Sequence, residues 1–184
     1  MTNFRKLGAS AVVVVAVTFG AVSVASAVPV SHRGAVVVHT TKKVKFTGTY
    51  TGTISLLING TKVTATSVAG SGSATWLGKS TMAGHGTSST AAQCEPLNGT
   101  GALTGSGSKL NLTILTKSTG CGSGYTAPTT VNVSGTAKVT SGAGKFKGAT
   151  GTLSFSGHFT LPSTTAKSND KFTAKLTGTL TTKS

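Results

Sequence analysis

The chain has 184 residues, and its 17 Lys and Arg stand against only two acids, Glu95 and Asp170, for a formal net charge of +15. Paired-carboxylate chemistry needs two acids side by side and all-protein Mg²⁺ or Ca²⁺ cages need several, so glycosidase dyads and hard-cation sites are poor readings from the outset. Thr (35), Gly (25) and Ser (22) dominate, yet 37% of the residues are hydrophobic, too many for a solvated low-complexity polymer.

Residues 1–27 read as a signal peptide. Arg5 and Lys6 give a positive start, the stretch from Ala11 to Val24 is largely apolar, and Ala25-Ser26-Ala27 is a small-residue cleavage site. Thr18, Gly20 and Ser23 interrupt the apolar stretch, which falls short of the roughly 20 residues of a spanning helix. Cleavage after Ala27 would leave a mature chain without a transmembrane segment, secreted or associated with the cell envelope. Residues 28–43 are expected to be a flexible N-terminal leader, and 44–184 a single domain. Export also interprets Cys94 and Cys121, the only two cysteines: an oxidising compartment favours a disulfide between them. On the loop-entropy account such a bridge is worth roughly 3–4 kcal/mol.

From Val44 onward a period of two recurs, the mark of strands with one buried face. Phe46, Gly48, Tyr50, Gly52, Ile54, Leu56 and Ile58 share a face, with Thr on the other, before the Asn59-Gly60 turn. Runs near 61–69, 72–78, 80–87, 99–104, 109–117, 129–140, 150–160 and 171–182 follow the same rule, and no stretch forms a convincing amphipathic helix. The fold class is therefore all-β: a single closed, mainly antiparallel β-barrel of about eight strands. A barrel is preferred to a sandwich because Gly48, Gly52, Gly135, Gly157 and Gly178 fall on the apolar face, where a missing side chain permits sharp coiling. Side chains are expected to fill the interior, and since aromatics are few, any cavity should be aliphatic and modest.

Between two of these strands lies Ser141-Gly142-Ala143-Gly144-Lys145-Phe146-Lys147-Gly148-Ala149-Thr150-Gly151. It resembles the glycine-rich turn of the allene oxide cyclase and dirigent barrel superfamily, matching at Gly142, Gly144, Lys145, Phe146, Ala149 and Gly151 and departing at Ser141 and Ala143. The resemblance implies a barrel and extends, through small exported bacterial proteins, from about Phe46 to Leu180. The plant members steer reactions of hydrophobic small molecules inside the barrel, the dirigent ones with acidic pocket residues. Here Glu95 and Asp170 fall on no family motif, so no catalytic residue carries over. Read physically, the turn needs no ligand: its glycines open backbone conformations and Phe146 can plug a barrel end.

Other motifs fail on spacing. Gly78-Lys79-Ser80 lacks the first glycine of a phosphate loop, and Leu161-Pro162-Ser163-Thr164-Thr165 lacks the final Gly and the hydrophobic tail of a wall-sorting signal. His32, His39, His85 and His158 have no metal-ligand spacing, so neither a metal nor a cofactor is expected. Trp76 is expected in the core or at a rim, and with so few stacking aromatics nucleic acid is a weak candidate partner. These readings point to a non-enzymatic envelope or extracellular barrel. The partners that suit it are an anionic envelope polymer or a small apolar ligand. The alternative implied by the resemblance is a barrel that guides or isomerises a hydrophobic small molecule.

Overall fold

The computed structural model describes residues 40–124, 126–161 and 167–183; the expected signal peptide, the expected leader as far as His39, Tyr125, residues 162–166 and Ser184 lie outside them. Ten strands follow in order: β1 (Thr41–Asn59), β2 (Lys62–Ala74), β3 (Gly78–Ser89), β4 (Cys94–Pro96), β5 (Asn98–Gly105), β6 (Ser108–Ile114), β7 (Thr119–Gly122), β8 (Thr129–Ala143), β9 (Thr150–Leu161) and β10 (Lys167–Lys183). β5 pairs with β6 while β4 pairs with β7, and both β6 and β7 pair with β8, so β4–β5 and β6–β7 each form one broken stave. The result is a closed antiparallel barrel of eight staves. Each stave pairs with its successor in the chain, and β10 returns to pair with β1.

The period-two reading of β1 holds: Val44, Phe46, Gly48 and Tyr50 are buried and the residues between them are exposed. Across the β1–β10 ladder large faces small, with Phe46 opposite Gly178, Gly48 opposite Leu176, Tyr50 opposite Ala174 and Gly52 opposite Phe172. The Phe172 ring crosses Gly52 to reach β2, where a Cβ on Gly70 would lie 2.8 Å from its Cζ. A Cβ on Gly52 would itself run into the Ala69 carbonyl, so the missing side chain also lets the two backbones close up.

Three expectations change. The separate strands at 61–69 and 72–78 are one strand, β2. Its register shifts between Ala65 and Val68, and this bulge moves the inward residues from odd to even numbers, which imitates a strand end. Thr41, Lys42 and Lys43, placed in the leader by sequence, already pair with Lys183, Thr182 and Thr181. The run 109–117 ends at Ile114, where the stave turns a corner through Leu115–Ser118 before β7.

That corner is tightly tied. The Ser118 hydroxyl accepts from the Thr136 N–H at 3.1 Å and donates to the Thr136 carbonyl at 3.2 Å, while the Leu97 N–H donates to the Ser118 carbonyl at 2.8 Å. Ser118 is fully buried and occupies the space a Cβ on Gly135 would need. Gly135→Ala should therefore destabilise the barrel by about 1–3 kcal/mol, the usual cost of overpacking. Gly124→Ala, with nothing within 4 Å of the added carbon, should leave the denaturant midpoint unchanged. Equal midpoints for the two variants would refute the corner's role.

Candidate functional site

The end of the barrel where β1 begins and β10 finishes is filled. Phe146, Leu77, Leu103, Leu110, Leu153 and Leu180 are all essentially inaccessible there. The glycine-rich segment supplies the stopper as a single 3₁₀ turn, Gly144–Phe146. The Phe146 ring meets Phe46 edge-on at 6.2 Å, and the Lys145 N–H donates to Ser108 Oγ at 3.1 Å. Gly144 (φ +62°) and Gly148 (φ +68°) take the left-handed conformation that the tight return requires. Gly142 packs against the Phe146 backbone, Gly151 closes on the Thr179 carbonyl and Ala149 is buried, so all six family-like residues serve this closure.

The other half is hollow. In this half the inward positions of β3 and β5 include Gly84, Gly86, Gly99 and Gly101, and the register sets Gly84 beside Gly101 and Gly86 beside Gly99. Two staves thus present bare backbone to the interior. Four staves away around the barrel, β9 and β10 carry Phe155, Phe159 and Phe172. Between the glycine wall and the phenylalanine wall lies an apolar cavity of about 230 Å³. It leads past Leu56, Val63, Leu97 and Phe159 into a further 150 Å³ beneath the open rim. The sequence favours a packed interior, with any cavity aliphatic and modest; the cavity is modest and its wall is partly aliphatic, through residues such as Leu56, Val68 and Leu112. Three of the seven phenylalanines line the one observed. The signal that could have revealed it was legible, since Gly84-His85-Gly86 and Gly99-Thr100-Gly101 place glycine at two consecutive inward positions of each of two successive runs.

Polar chemistry stands mostly outside this space. His85 and His158 flank the cavity only through their strands: each is exposed, and their rings bond to Thr100 Oγ1 at 3.2 Å and Thr173 Oγ1 at 3.1 Å. Glu95 accepts from the Ala92 N–H at 2.6 Å and so shapes the β3–β4 loop at the rim. Asp170, buried opposite Ile54, accepts from Ser168 Oγ at 2.7 Å. Neither acid belongs to the cavity wall, and among the described residues no three His, Cys, Asp or Glu side chains converge. Cys94 and Cys121 form a disulfide between directly opposed residues of β4 and β7, tying the two short strands that extend the staves toward the mouth.

On the closed side of the cavity, the Tyr50 hydroxyl shares a 2.9 Å hydrogen bond with Ser80 Oγ, both residues being buried. Tyr50 faces Gly72, which in turn faces Ser80, so the phenol spans two ladder steps because the residue between is glycine. The outer face, by contrast, is exposed Thr, Ser and Lys, the reverse of a lipid-spanning barrel with its apolar outer band. Among the described residues no helix is long and apolar enough to cross a membrane.

No protein-family model, curated protein or solved structure matches the chain.

Burial raises the Tyr50 phenol above its ordinary value near 10.0, partly offset by the bond to Ser80. The folded chain therefore keeps this proton at pH values where the unfolded chain has begun to lose it, and stability falls as pH rises past about 10. Tyr50→Phe should cost about 1–2 kcal/mol at neutral pH by stranding Ser80. It should also flatten the alkaline decline, measured as the difference between wild-type and variant melting temperatures across that range. A decline of unchanged slope would contradict the assignment.

Proposed function

We propose that this protein is an exported, non-enzymatic β-barrel that holds a small apolar molecule in the open half of its interior. The observation that carries the reading is the cavity itself, walled by glycine backbone on one side and by Phe155, Phe159 and Phe172 on the other. Binding pockets are concave and mostly apolar, and drug-sized ones occupy roughly 300–1,000 Å³. At about 230 Å³ this one suits a smaller molecule. Burial of the ligand's apolar surface supplies the affinity, and the sparse polar lining implies selection by size and shape.

Export is supported by the signal-like segment, and the Cys94–Cys121 disulfide fits an oxidising compartment. The alternative, a barrel that guides or isomerises a hydrophobic molecule in the manner of the allene oxide cyclase and dirigent proteins, rests on the same enclosure. It finds less support, because Glu95 and Asp170 are engaged by Ala92 and Ser168 rather than presented to the cavity.

Titration with the neutral fluorescent probe N-phenyl-1-naphthylamine should show saturable binding at one site per chain. Filling the cavity with Val68→Trp, or narrowing its approach with Val63→Phe, should weaken that binding at least about tenfold, since either occupies the volume the probe needs. Unsaturable binding, or equal affinity in all three proteins, would end the cavity reading. Intact mass of the exported protein should correspond to a chain starting at Val28, and retention of Met1 would end the export reading.

A further inference from the structure

The lysines are not spread evenly along the barrel axis. Lys42, Lys43 and Lys45 open β1, Lys79 follows the β2–β3 turn and Lys109 the β5–β6 turn. Lys145 and Lys147 lie in the β8–β9 turn, and Lys183 ends β10. All eight are exposed at the closed end, out of 14 lysines among the described residues. Glu95 and Asp170 both lie toward the opposite, open end, in β4 and near the start of β10. The barrel is thus an electrostatic dipole whose basic pole contains no acid among the described residues.

At that pole, on the β2–β3 turn, stands Trp76, the only tryptophan of the chain. It is 37% exposed on the β2–β3 turn, with the Lys42 ammonium 5.7 Å from its ring centroid and Phe146 tilted behind it at 6.5 Å. Its backbone has φ +70°, a left-handed conformation that a bulky residue adopts only where surrounding structure enforces it. Here the enforcement is explicit. The Thr75 N–H donates to the Thr47 carbonyl at 2.8 Å, and the Thr47 N–H donates to Thr75 Oγ1 at 3.1 Å. A strained turn therefore holds an amphipathic ring outward amid exposed ammonium groups. A strained conformation kept at an exposed aromatic is a pointer to use.

We infer that the closed end is a docking surface for an anionic lipid bilayer. Tryptophan settles at the headgroup level with one face apolar and its N–H wet, and lysines near an anionic leaflet add attraction individually. A filled barrel end bearing eight exposed lysines and one tryptophan matches a broad charged surface better than a nucleic-acid strand, for which a row of stacking aromatics would be the expected recognition element.

Because Trp76 is the sole tryptophan, its emission reports on this end directly. With vesicles of mixed phosphatidylglycerol and phosphatidylcholine the exported protein should show a blue shift, absent with phosphatidylcholine alone and reversed by high salt. Lys43→Gln/Lys145→Gln/Lys147→Gln should weaken vesicle binding on the order of 100-fold. Lys62→Gln/Lys167→Gln/Lys171→Gln, which removes the same charge from the open end, should weaken it less than about fivefold by the same short-range reasoning. All variants share the residues before Thr40, so any contribution from those residues cancels. Equal losses in the two triple variants, equal binding to both vesicle types, vesicle binding without a Trp76 shift, or binding to heparin with none to vesicles would each overturn the inference.

Discussion

The close approach of neighbouring staves across glycine is the constraint on which the rest of the molecule depends. Eight staves close into a narrow cylinder only if backbones can coil past one another, and side chains on the concave face obstruct that. Gly52 and Gly72 remove the obstruction, since a Cβ on either would collide with a carbonyl of the adjoining strand. They also clear the path along which Phe172 and Tyr50 lie sideways to touch residues two strands away. Curvature and packing are one problem here, solved by pairing large with small across the ladder.

The same residue gives the opposite result where no ring lies across the glycine pair, as Phe172 does over Gly52 and Gly70. At Gly84–Gly101 and Gly86–Gly99 nothing large fills the space, and the interior is left open. One compositional habit thus produces a solid half and a hollow half. The hollow half ends in the disulfide-tied rim, and the solid half ends in the lysine-bearing cap. On the proposed readings these tasks do not compete: a cap resting on a charged surface leaves the mouth at the far end free.

Much of the barrel was legible because alternation survives in β1, β9 and β10 with few breaks. It was lost where local chemistry imitates another signal. The bulge in β2 reversed the parity and looked like a turn. β4 and β7 are too short, at three and four residues, to show any period, and they exist because the disulfide and the pairing with β8 hold them. The glycine wall was readable in principle, yet only the register reveals that the two glycine pairs are neighbours. The basic pole was not readable at all. Its lysines come from five separate segments, and only closure of the barrel assembles them. The gross charge therefore carried less meaning than its placement.

The order of the staves has a consequence for how the chain reaches this state. Seven of the eight pairings join consecutive staves, so they form by local zippering with small loop-closure cost. The eighth, β1 with β10, joins residues such as Thr41 and Lys183 and must wait for the whole meander. Until then β1 and β10 are two long, unpaired edges, the kind of template that recruits other chains. Those two strands carry Lys42, Lys43, Lys45, Lys167, Lys171, Lys175 and Lys183, half of the lysines among the described residues. Like charge on both free edges makes pairing between two unfinished molecules repulsive, whereas within one molecule the closing ladder sets none of these lysines opposite another: Lys167 faces Leu57 and the other six face threonine. The charge that gives the finished barrel its basic pole thus also guards the last seam to close.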